Sequence, residues 1–157
     1  MDTVWAPWRI TYVEIAKPSG CILCSKPRED NDAENYILYR AKHNFIILNS
    51  FPYNPGHLMV APYRHVSSPE ELAPEELLEH SELINRSLAA LRESFGSRDF
   101  NVGMNLGTTA GAGIPGHIHS HIVPRWAGDT NFMPVIAGTK VIPQALRDTY
   151  LKLKDKF

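Results

Sequence analysis

The stretch from residue 117 to residue 123 reads His117-Ile118-His119-Ser120-His121-Ile122-Val123. On a β-strand, its period-two alternation places the three imidazoles on one face of the sheet. The plainest interpretation of such a pattern is a solvated polar face. Stacked imidazoles would disfavour one another's charging, however, and ordinary packing would select apolar groups at these positions. The pattern therefore favours a functional face, built for metal ligation or for nucleophilic and acid–base chemistry.

The segments around the histidines predict an α+β domain with an antiparallel sheet of about five strands. Runs of β-branched and aromatic residues between turn signals predict strands at residues 36–39, 44–48, 57–61, 100–105 and 117–123. Pro124 is expected to end the last of them. The first three are close enough in sequence for an antiparallel meander. We interpret residues 1–157 as one domain, in which residues 1–33 form an irregular N-terminal segment.

Residues 74–95 carry the clearest helical pattern in the chain. Pro74 suits the first turn of a helix, and Gly96 suits its C-terminal cap. The apolar residues that recur at helical spacing are Leu77, Ile84, Leu88, Leu91 and Phe95. This face is expected to cover one side of the sheet, with His80 on the polar side and without a role. A second helix is expected at the end of residues 142–155.

The composition argues against several classes of function. The 157 residues are 43% hydrophobic, and 16 Lys+Arg against 17 Asp+Glu leave a net charge of -1. A balanced charge provides no basic surface for a nucleic acid, and no apolar run approaches the ~20 residues that span a bilayer. The first residues lack the basic and apolar regions of a secretory signal. We therefore expect a cytoplasmic protein with neither a nucleic-acid nor a membrane partner.

A loop with four glycines, residues 106–116, precedes the histidines. The backbone N–H groups of Gly111, Ala112 and Gly113 are suited to binding phosphate oxygens, because glycine allows the chain to adopt anion-binding conformations. A flexible connection between two strands is the alternative interpretation. The glycine content by itself is weak support for either one.

The two cysteines of the chain, Cys21 and Cys24, form a C-x-x-C pair. A secreted domain of this size would be expected to hold more cysteines in a disulfide framework. The pair supplies two soft ligands, and a tetrahedral Zn²⁺ site needs two more. A redox dithiol and two unliganded thiols are the alternatives, although no thioredoxin-like βαβ pattern surrounds the pair.

The histidine stretch resembles the signature of the histidine triad (HIT) superfamily, in which histidines alternate with mostly apolar residues and two apolar residues follow. Ser120 is a small departure that falls on the opposite face from the rings. The stretches that agree with the resemblance are Asn54-Pro55-Gly56-His57, Asn105-Leu106-Gly107, the glycine loop and Val123-Pro124-Arg125. Residues 5–9 and 127–133 are similar to the branch that contains bacterial diadenosine-tetraphosphate phosphorylases and related hydrolases.

The resemblance implies an enzyme that cleaves the α-phosphate bond of dinucleoside polyphosphates or related adenine nucleotides, with water or inorganic phosphate as the acceptor. His119 would be the nucleophile that forms a nucleotidyl-histidine intermediate, and His121 would contact the phosphate or the leaving group. Asn49 matches the position that contacts ribose. The loop has no hydroxyl or glutamine just before the histidines, so phosphate binding would fall to main-chain amides or to three polar side chains. These are Asn105, Thr108 and Thr109.

The resemblance also implies a complete metal site. His65 and His117 match the positions of the other two zinc ligands, which with Cys21 and Cys24 would form a closed, structural Cys₂His₂ site. His57 opens a strand beside the site, where it would either lie near substrate or only pack. The resemblance further implies a homodimer that packs through the long helix or its neighbouring strand.

Two other functions compete with this interpretation. A nucleoside phosphoramidase would use the same nucleophile on a P–N bond. A non-catalytic nucleotide-binding domain would use the histidines mainly to hold metal. Comparing adenosine phosphoramidate with diadenosine tetraphosphate separates the two enzymes, whereas tight nucleotide binding without turnover would favour the binding domain.

Overall fold

The structure is a computed structural model that describes residues 20–129 and 144–157. The sequence similarity at residues 5–9 lies outside the described residues, and so do residues 130–133 of the second similar stretch. Within the described ranges, no helix combines the length and the apolar character needed to cross a bilayer.

One antiparallel sheet has its strands in the order β1-β2-β3-β5-β4. The strands are β1 (Ile37–Arg40), β2 (Asn44–Leu48), β3 (Leu58–Pro62), β4 (Asp99–Met104) and β5 (Ser120–Arg125). The first three form the predicted meander, and β5 pairs with both β3 and β4, which places it inside the sheet. The predicted α+β class with a five-stranded antiparallel sheet is confirmed.

The strand predicted at residues 117–123 is wrong at both ends. β5 includes only His121 of the three histidines. β3 ends at Pro62, which has no N–H for a longer ladder, and the N–H of Ile118 donates instead to the carbonyl of Val66 (2.7 Å). The segment that carries the first two histidines is therefore held by the connection that follows β3.

At its other end, β5 continues through Pro124 to Arg125 instead of ending at the proline. The Pro124 carbonyl accepts a hydrogen bond from the Asn54 amide (2.8 Å). Because the nitrogen and the carbonyl of one strand residue face the same edge, the proline nitrogen faces away from β4. The pairing of β5 with β3 has already ended at Ile122. No ladder hydrogen bond is lost, so the strand tolerates the proline.

The described residues form four α-helices: α1 (Ile22–Ser25), α2 (Asp32–Asn35), α3 (Pro74–Phe95) and α4 (Leu146–Leu153). Short 3₁₀ turns cover Lys26–Arg28, Pro69–Glu71 and Lys154–Lys156. The long helix and the C-terminal helix are confirmed, including the left-handed cap at Gly96 (φ 63°). The N-terminal segment is less irregular than expected, because α1 and the turn after it lie where the sequence predicts only loop.

The buried face of α3 is more polar than its apolar spacing predicts. Leu77, which is expected in the core, is 41% exposed, whereas His80, which is expected on the polar side, is 1% exposed. The other buried residues of this face are Glu76, Leu83, Ser87, Ala90 and Leu91. Hydrogen bonds to the sheet and to nearby backbone satisfy the polar groups among them. Among these groups, His80 joins the helix to the sheet through its hydrogen bonds.

Two apolar layers enclose the sheet. One lies between the sheet and the helices α3 and α4 and contains Val60. The other lies on the opposite face, where Leu23 of α1 packs with Met59. Directly paired residues on neighbouring strands share a face, so the pairing with Val60 puts Ser120 on the side of α3, and the pairing with Met59 puts His121 on the other side. The histidine face is thus the one opposite the long helix.

Candidate active site and metal centre

Cys21, Cys24, His65 and His117 converge beside the segment that leads into β5. One donor atom from each residue, a sulfur or a ring nitrogen, lies within 4.8 Å of all the others. Nδ1 of His117 lies 3.3 Å from each sulfur and 3.2 Å from Nδ1 of His65. The same nitrogen of His65 lies 3.3 Å from the sulfur of Cys24. The structure thus brings together all four residues that are predicted to bind zinc.

The four donor atoms fit a tetrahedral Zn²⁺ site. Zinc binds sulfur at about 2.3 Å and imidazole nitrogen at about 2.0–2.1 Å, so the ligand atoms of a tetrahedron stand roughly 3.3–3.8 Å apart. The separations of 3.2 and 3.3 Å are close to that range. Two sulfurs with two imidazoles also favour zinc over the hard cations, which prefer oxygen.

A backbone carbonyl orients the ring of His117. Its Nε2 lies 2.8 Å from the carbonyl oxygen of Pro62, which only accepts, so Nε2 carries the proton and donates it. Nδ1 therefore has the free lone pair, and it faces the two sulfurs. Burial lowers the pKa of His117. A neutral imidazole held by its second nitrogen is the form that binds a metal.

The ring of His119 uses the opposite nitrogen for its backbone bond. Its Nδ1 lies 2.9 Å from the carbonyl oxygen of His117 and donates to it. Nε2 is left as the unprotonated nitrogen of a neutral ring. The side chain is 6% exposed, and burial lowers its pKa below the ordinary histidine value. An oriented imidazole with a free lone pair has the chemical form of a nucleophile.

A chain of hydrogen bonds determines where His121 carries its proton. The backbone N–H of Tyr53 donates to Nδ1 of His57 (3.1 Å), so the proton of the His57 ring is on Nε2. That group lies 2.9 Å from Nδ1 of His121 and donates to it. The proton of His121 is therefore on its own Nε2. The rings of His119 and His121 are neighbours, with centroids 4.8 Å apart, and one offers a lone pair while the other offers an N–H.

The rings of His57 and His121 are neutral at ordinary pH. Burial first, and then repulsion between neighbouring ring charges, lowers the pKa of His57 to about 3 and that of His121 to about 4. His57 is 1% exposed and lies behind His121, so of the two roles that the sequence leaves open it packs, and through its packing it orients a second ring. The Asn54-Pro55-Gly56-His57 stretch is the sequence signal that points to this residue.

A cavity of about 390 Å³ opens beside His121. The exposed side of β4 forms one wall, and Tyr53, Asn105 and Arg125 contribute to the others. The polar groups of this lining suit a phosphate or a sugar. The structure thus places two predicted site residues, His121 and Asn105, on one cavity.

The glycine loop uses part of its own hydrogen-bonding capacity. The N–H of Gly111 donates to the carbonyl of Thr108 (3.0 Å), and the N–H of Ala112 donates to the carbonyl of Gly107 (3.2 Å). Gly107 and Gly111 have φ of 81° and 86°, which glycine adopts without strain. Two of the three amides predicted to bind phosphate thus close turns of the loop, and a bound anion would compete with those bonds.

Asn49 lies next to the buried His57, with its amide nitrogen 3.4 Å from Nδ1 of that ring. Its side-chain oxygen accepts the backbone N–H of Phe51 (2.9 Å). The residue is thus part of the support of the histidine chain, and its contact with ribose stays a prediction.

Asp129 ties the loop before β3 to the end of β5. Its carboxylate accepts hydrogen bonds from Arg125 Nε (2.6 Å) and from the Asn54 amide (2.7 Å). The guanidinium holds the pKa of Asp129 well below its usual range. Gly56 in the same loop has φ 77°, and a side chain there would come within 3.0 Å of Leu91. The sequence indicates Asp129 only through the similarity of residues 127–133, which assigns it no contact.

An antiparallel five-stranded sheet with a long helix on one face and alternating histidines at the other defines the class of histidine-triad proteins. Residues 30–128 match the HIT domain family. This protein belongs to that family.

Relatives and solved structures agree with this assignment. AP-4-A phosphorylase of Mycobacterium tuberculosis (strain ATCC 25618 / H37Rv) is 40% identical over 95% of this chain and 80% of its own length. The asymmetrical bis(5'-nucleosyl)-tetraphosphatase of Schizosaccharomyces pombe is 32% identical over 59% of this chain and 50% of its own. A Zn-bound histidine triad family protein from Mycobacterium smegmatis, at 23% identity, has the same fold with a TM-score of 0.69, covering 87% of this chain and 92% of that one.

Proposed function

We propose that this protein is a nucleotidyltransferase that cleaves dinucleoside polyphosphates at the α-phosphate through a covalent intermediate on His119. The observation that carries the proposal is the hydrogen bond from Nδ1 of His119 to the His117 carbonyl (2.9 Å), because it leaves Nε2 unprotonated. The relative named AP-4-A phosphorylase, 40% identical over most of both chains, supports the substrate class.

In the first step, Nε2 of His119 attacks the α-phosphorus in line, forming a P–N bond while the P–O bond to the β-phosphate breaks. From diadenosine tetraphosphate, this step gives adenylyl-His119 and ATP. The Nε2–H of the neutral His121 ring donates a hydrogen bond to the departing oxygen, which leaves with its negative charge on the ATP formed. His57 keeps that N–H in place by donating to the other nitrogen of the ring (2.9 Å). His119 thus attacks the phosphorus, and the adjacent His121 stabilises the leaving group.

In the second step, an acceptor oxygen attacks the same phosphorus and breaks the P–N bond, which restores the ring. Inorganic phosphate as the acceptor yields ADP, and water yields AMP. The name of the M. tuberculosis relative favours phosphate. We assign phosphate binding to Asn105, which lines the cavity, and to the amide of Gly113, with Gly111 and Ala112 joining where the loop turns open. Asn49 is assigned to the ribose.

Zinc would have a structural role in this protein. Four protein ligands leave no open coordination position, so the ion would bind no substrate. It would tie the N-terminal α1 to His117, whose carbonyl orients His119. The metal would thus support the nucleophile through one backbone group.

We also propose that the protein is a cytoplasmic homodimer in which β4 contributes to the interface. Within the described residues, β4 is an edge strand that pairs only with β5, and Val102 in its middle is 46% exposed. An exposed edge with an apolar side chain is suited to packing against a second copy of the chain.

The proposal is tested by incubating the purified protein with diadenosine tetraphosphate, with and without inorganic phosphate, and separating the nucleotides. ADP and ATP formed only with phosphate would support a phosphorylase, and AMP with ATP would support a hydrolase. Faster turnover of adenosine phosphoramidate would identify a phosphoramidase instead. Tight nucleotide binding without turnover of any of these compounds would overturn the proposal.

A further inference from the structure

A chain of buried hydrogen bonds runs from α3 to β5 on the face opposite the catalytic rings. Nδ1 of His80 lies 2.9 Å from Oδ1 of Asn44, and Nε2 of His80 lies 2.8 Å from the hydroxyl of Ser120. All three side chains are at most 1% exposed. In such a dry environment, each hydrogen bond holds its partners more firmly than at the surface.

The direction of each bond follows from its partners. The amide nitrogen of Asn44 donates to the Glu76 carbonyl and to the Glu79 carboxylate, both at 3.0 Å, which turns its Oδ1 to His80. That oxygen only accepts, so Nδ1 of His80 donates. Burial lowers the pKa of His80 to about 4, and the neutral ring accepts the Ser120 hydroxyl proton at Nε2.

Glu79 fixes the other end of this chain. Its carboxylate accepts the backbone N–H groups of Lys42, His43 and Asn44, at 3.1, 2.7 and 2.8 Å. These three residues form the turn between β1 and β2 and the first position of β2. The hydrogen-bond chain therefore joins the sheet at two places, the β1–β2 turn and the start of β5.

Ser120 is the residue between the two proposed reacting histidines. It stands where the histidine-triad pattern has an apolar residue, so this hydroxyl anchor does not follow from the family pattern. Its backbone is continuous with His119 and His121, and any shift of Ser120 relative to α3 moves both rings. Small displacements of reacting groups cost much in rate, since about 1 Å of misplacement can cost roughly 10²-fold.

We propose that His80 is a positioning residue for the nucleophile, because its bond to the Ser120 hydroxyl fixes the start of β5 and with it the neighbouring ring of His119. The inference rests on the proposed function, since it concerns the same nucleophile. His80 touches no substrate in this arrangement and acts through the strand.

The test compares kcat, KM and Tm of Ser120→Ala, Ser120→Thr and His80→Leu with those of the wild type on diadenosine tetraphosphate. We expect Ser120→Ala and His80→Leu each to lower kcat about tenfold with KM unchanged, and the double variant to lower it no further. Ser120→Thr keeps the hydroxyl and should restore kcat. The matched control is Ser87→Ala, because Ser87 is equally buried on α3 but, among the residues that the structure describes, bonds the Leu83 carbonyl of its own helix (2.8 Å) and no group of the sheet.

A purely structural role would make kcat follow Tm, with Ser87→Ala as damaging as Ser120→Ala at equal loss of Tm. Three outcomes would each overturn the inference. The first is a kcat that follows Tm in this way, the second is an unchanged kcat in Ser120→Ala, and the third is additive losses in the double variant. The ¹⁵N NMR shifts of the His119 ring give a second readout that needs no turnover, and they should move in Ser120→Ala but not in Ser87→Ala. Absence of turnover in the wild type would instead contradict the proposed function.

Discussion

His117 and His119 are two residues apart and present opposite ring nitrogens. His117 donates Nε2–H to the Pro62 carbonyl and turns Nδ1 to the cysteines, whereas His119 donates Nδ1–H to the carbonyl of His117 and leaves Nε2 free. Both rings are buried and both have lowered pKa values. The difference between the proposed metal ligand and the proposed nucleophile therefore lies in which nitrogen meets a backbone carbonyl, and not in the acidity of the ring.

Replacing the His119 ring tests whether the two proposed roles are separate. We expect His119→Ala to lower kcat on the order of 10⁴-fold or more, because the covalent route is lost, while zinc content and Tm stay near those of the wild type. Assays of turnover and metal content measure both effects, with His43→Ala in the β1–β2 turn as the control histidine. Loss of zinc in His119→Ala, or turnover close to that of the wild type, would contradict the separation of roles.

Removing the cysteines tests the proposed zinc site to which His117 belongs. In the variant Cys21→Ser with Cys24→Ser, we expect zinc to fall from about one per chain to nearly none, and Tm to fall by roughly 10 °C, because metal binding contributes to folding. Metal analysis and thermal unfolding measure the two changes. Ser25→Ala, at an exposed site on the same short helix, is the control. Wild-type protein purified without chelator and free of zinc would count against the metal centre.

Breaking the hydrogen bond between His57 and His121 tests the role proposed for the N–H group of His121. We expect His57→Phe to lower kcat roughly 10²-fold, because the proton of His121 is no longer confined to Nε2. The loss should appear with diadenosine tetraphosphate and with adenosine phosphoramidate, since either leaving group would lose the same oriented N–H. Steady-state kinetics on both substrates make the measurement. A change in KM alone would indicate that His57 only shapes the cavity.

The roles proposed for these histidines require neutral imidazoles, and acid removes that condition. The pKa of His80 is about 4 in the folded protein, below its ordinary 6.5, so the unfolded chain takes up a proton first as pH falls. The stability due to its neutral form is present above about pH 6.5 and is lost as pH falls through about 4. We expect this group to lower the free energy of unfolding by about 2 kcal/mol between about pH 7.5 and about pH 5. The free energies of unfolding of wild type and His80→Leu are measured in urea at both pH values. The decrease from the higher to the lower pH should be larger in the wild type by that amount, and an equal decrease would contradict the lowered pKa of His80.

Much of the fold could be predicted because the signals are local. Alternation and turn residues predict the strands, and the Pro74 to Gly96 interval predicts the long helix. The start of β5 could not be predicted, because it depends on the end of β3 at Pro62 and on the bond from Ile118 to Val66, which are tertiary facts.

The candidate site shows the same limit. The Cys21 and Cys24 pair and the histidine order are legible in the residue types and their spacing, whereas His65 and His117 as the other two candidate zinc ligands follow only from the resemblance to the family. His80 is not, because its burial depends on Asn44 and Ser120, which lie far away in sequence. The hydrogen bonds that the amides of Gly111 and Ala112 make within the loop could not be predicted either, because glycine content does not specify which turns form.

The decisive experiment for the covalent mechanism is to trap the intermediate and determine which ring nitrogen holds the nucleotide. A single turnover with diadenosine tetraphosphate is quenched in alkali, which preserves P–N bonds, and the adduct is located by peptide mass spectrometry and by ³¹P–¹⁵N NMR. The proposed mechanism requires adenylate on Nε2 of His119. Adenylate on Nδ1, on His121 or on His57, or the absence of any adduct during productive turnover, would contradict it.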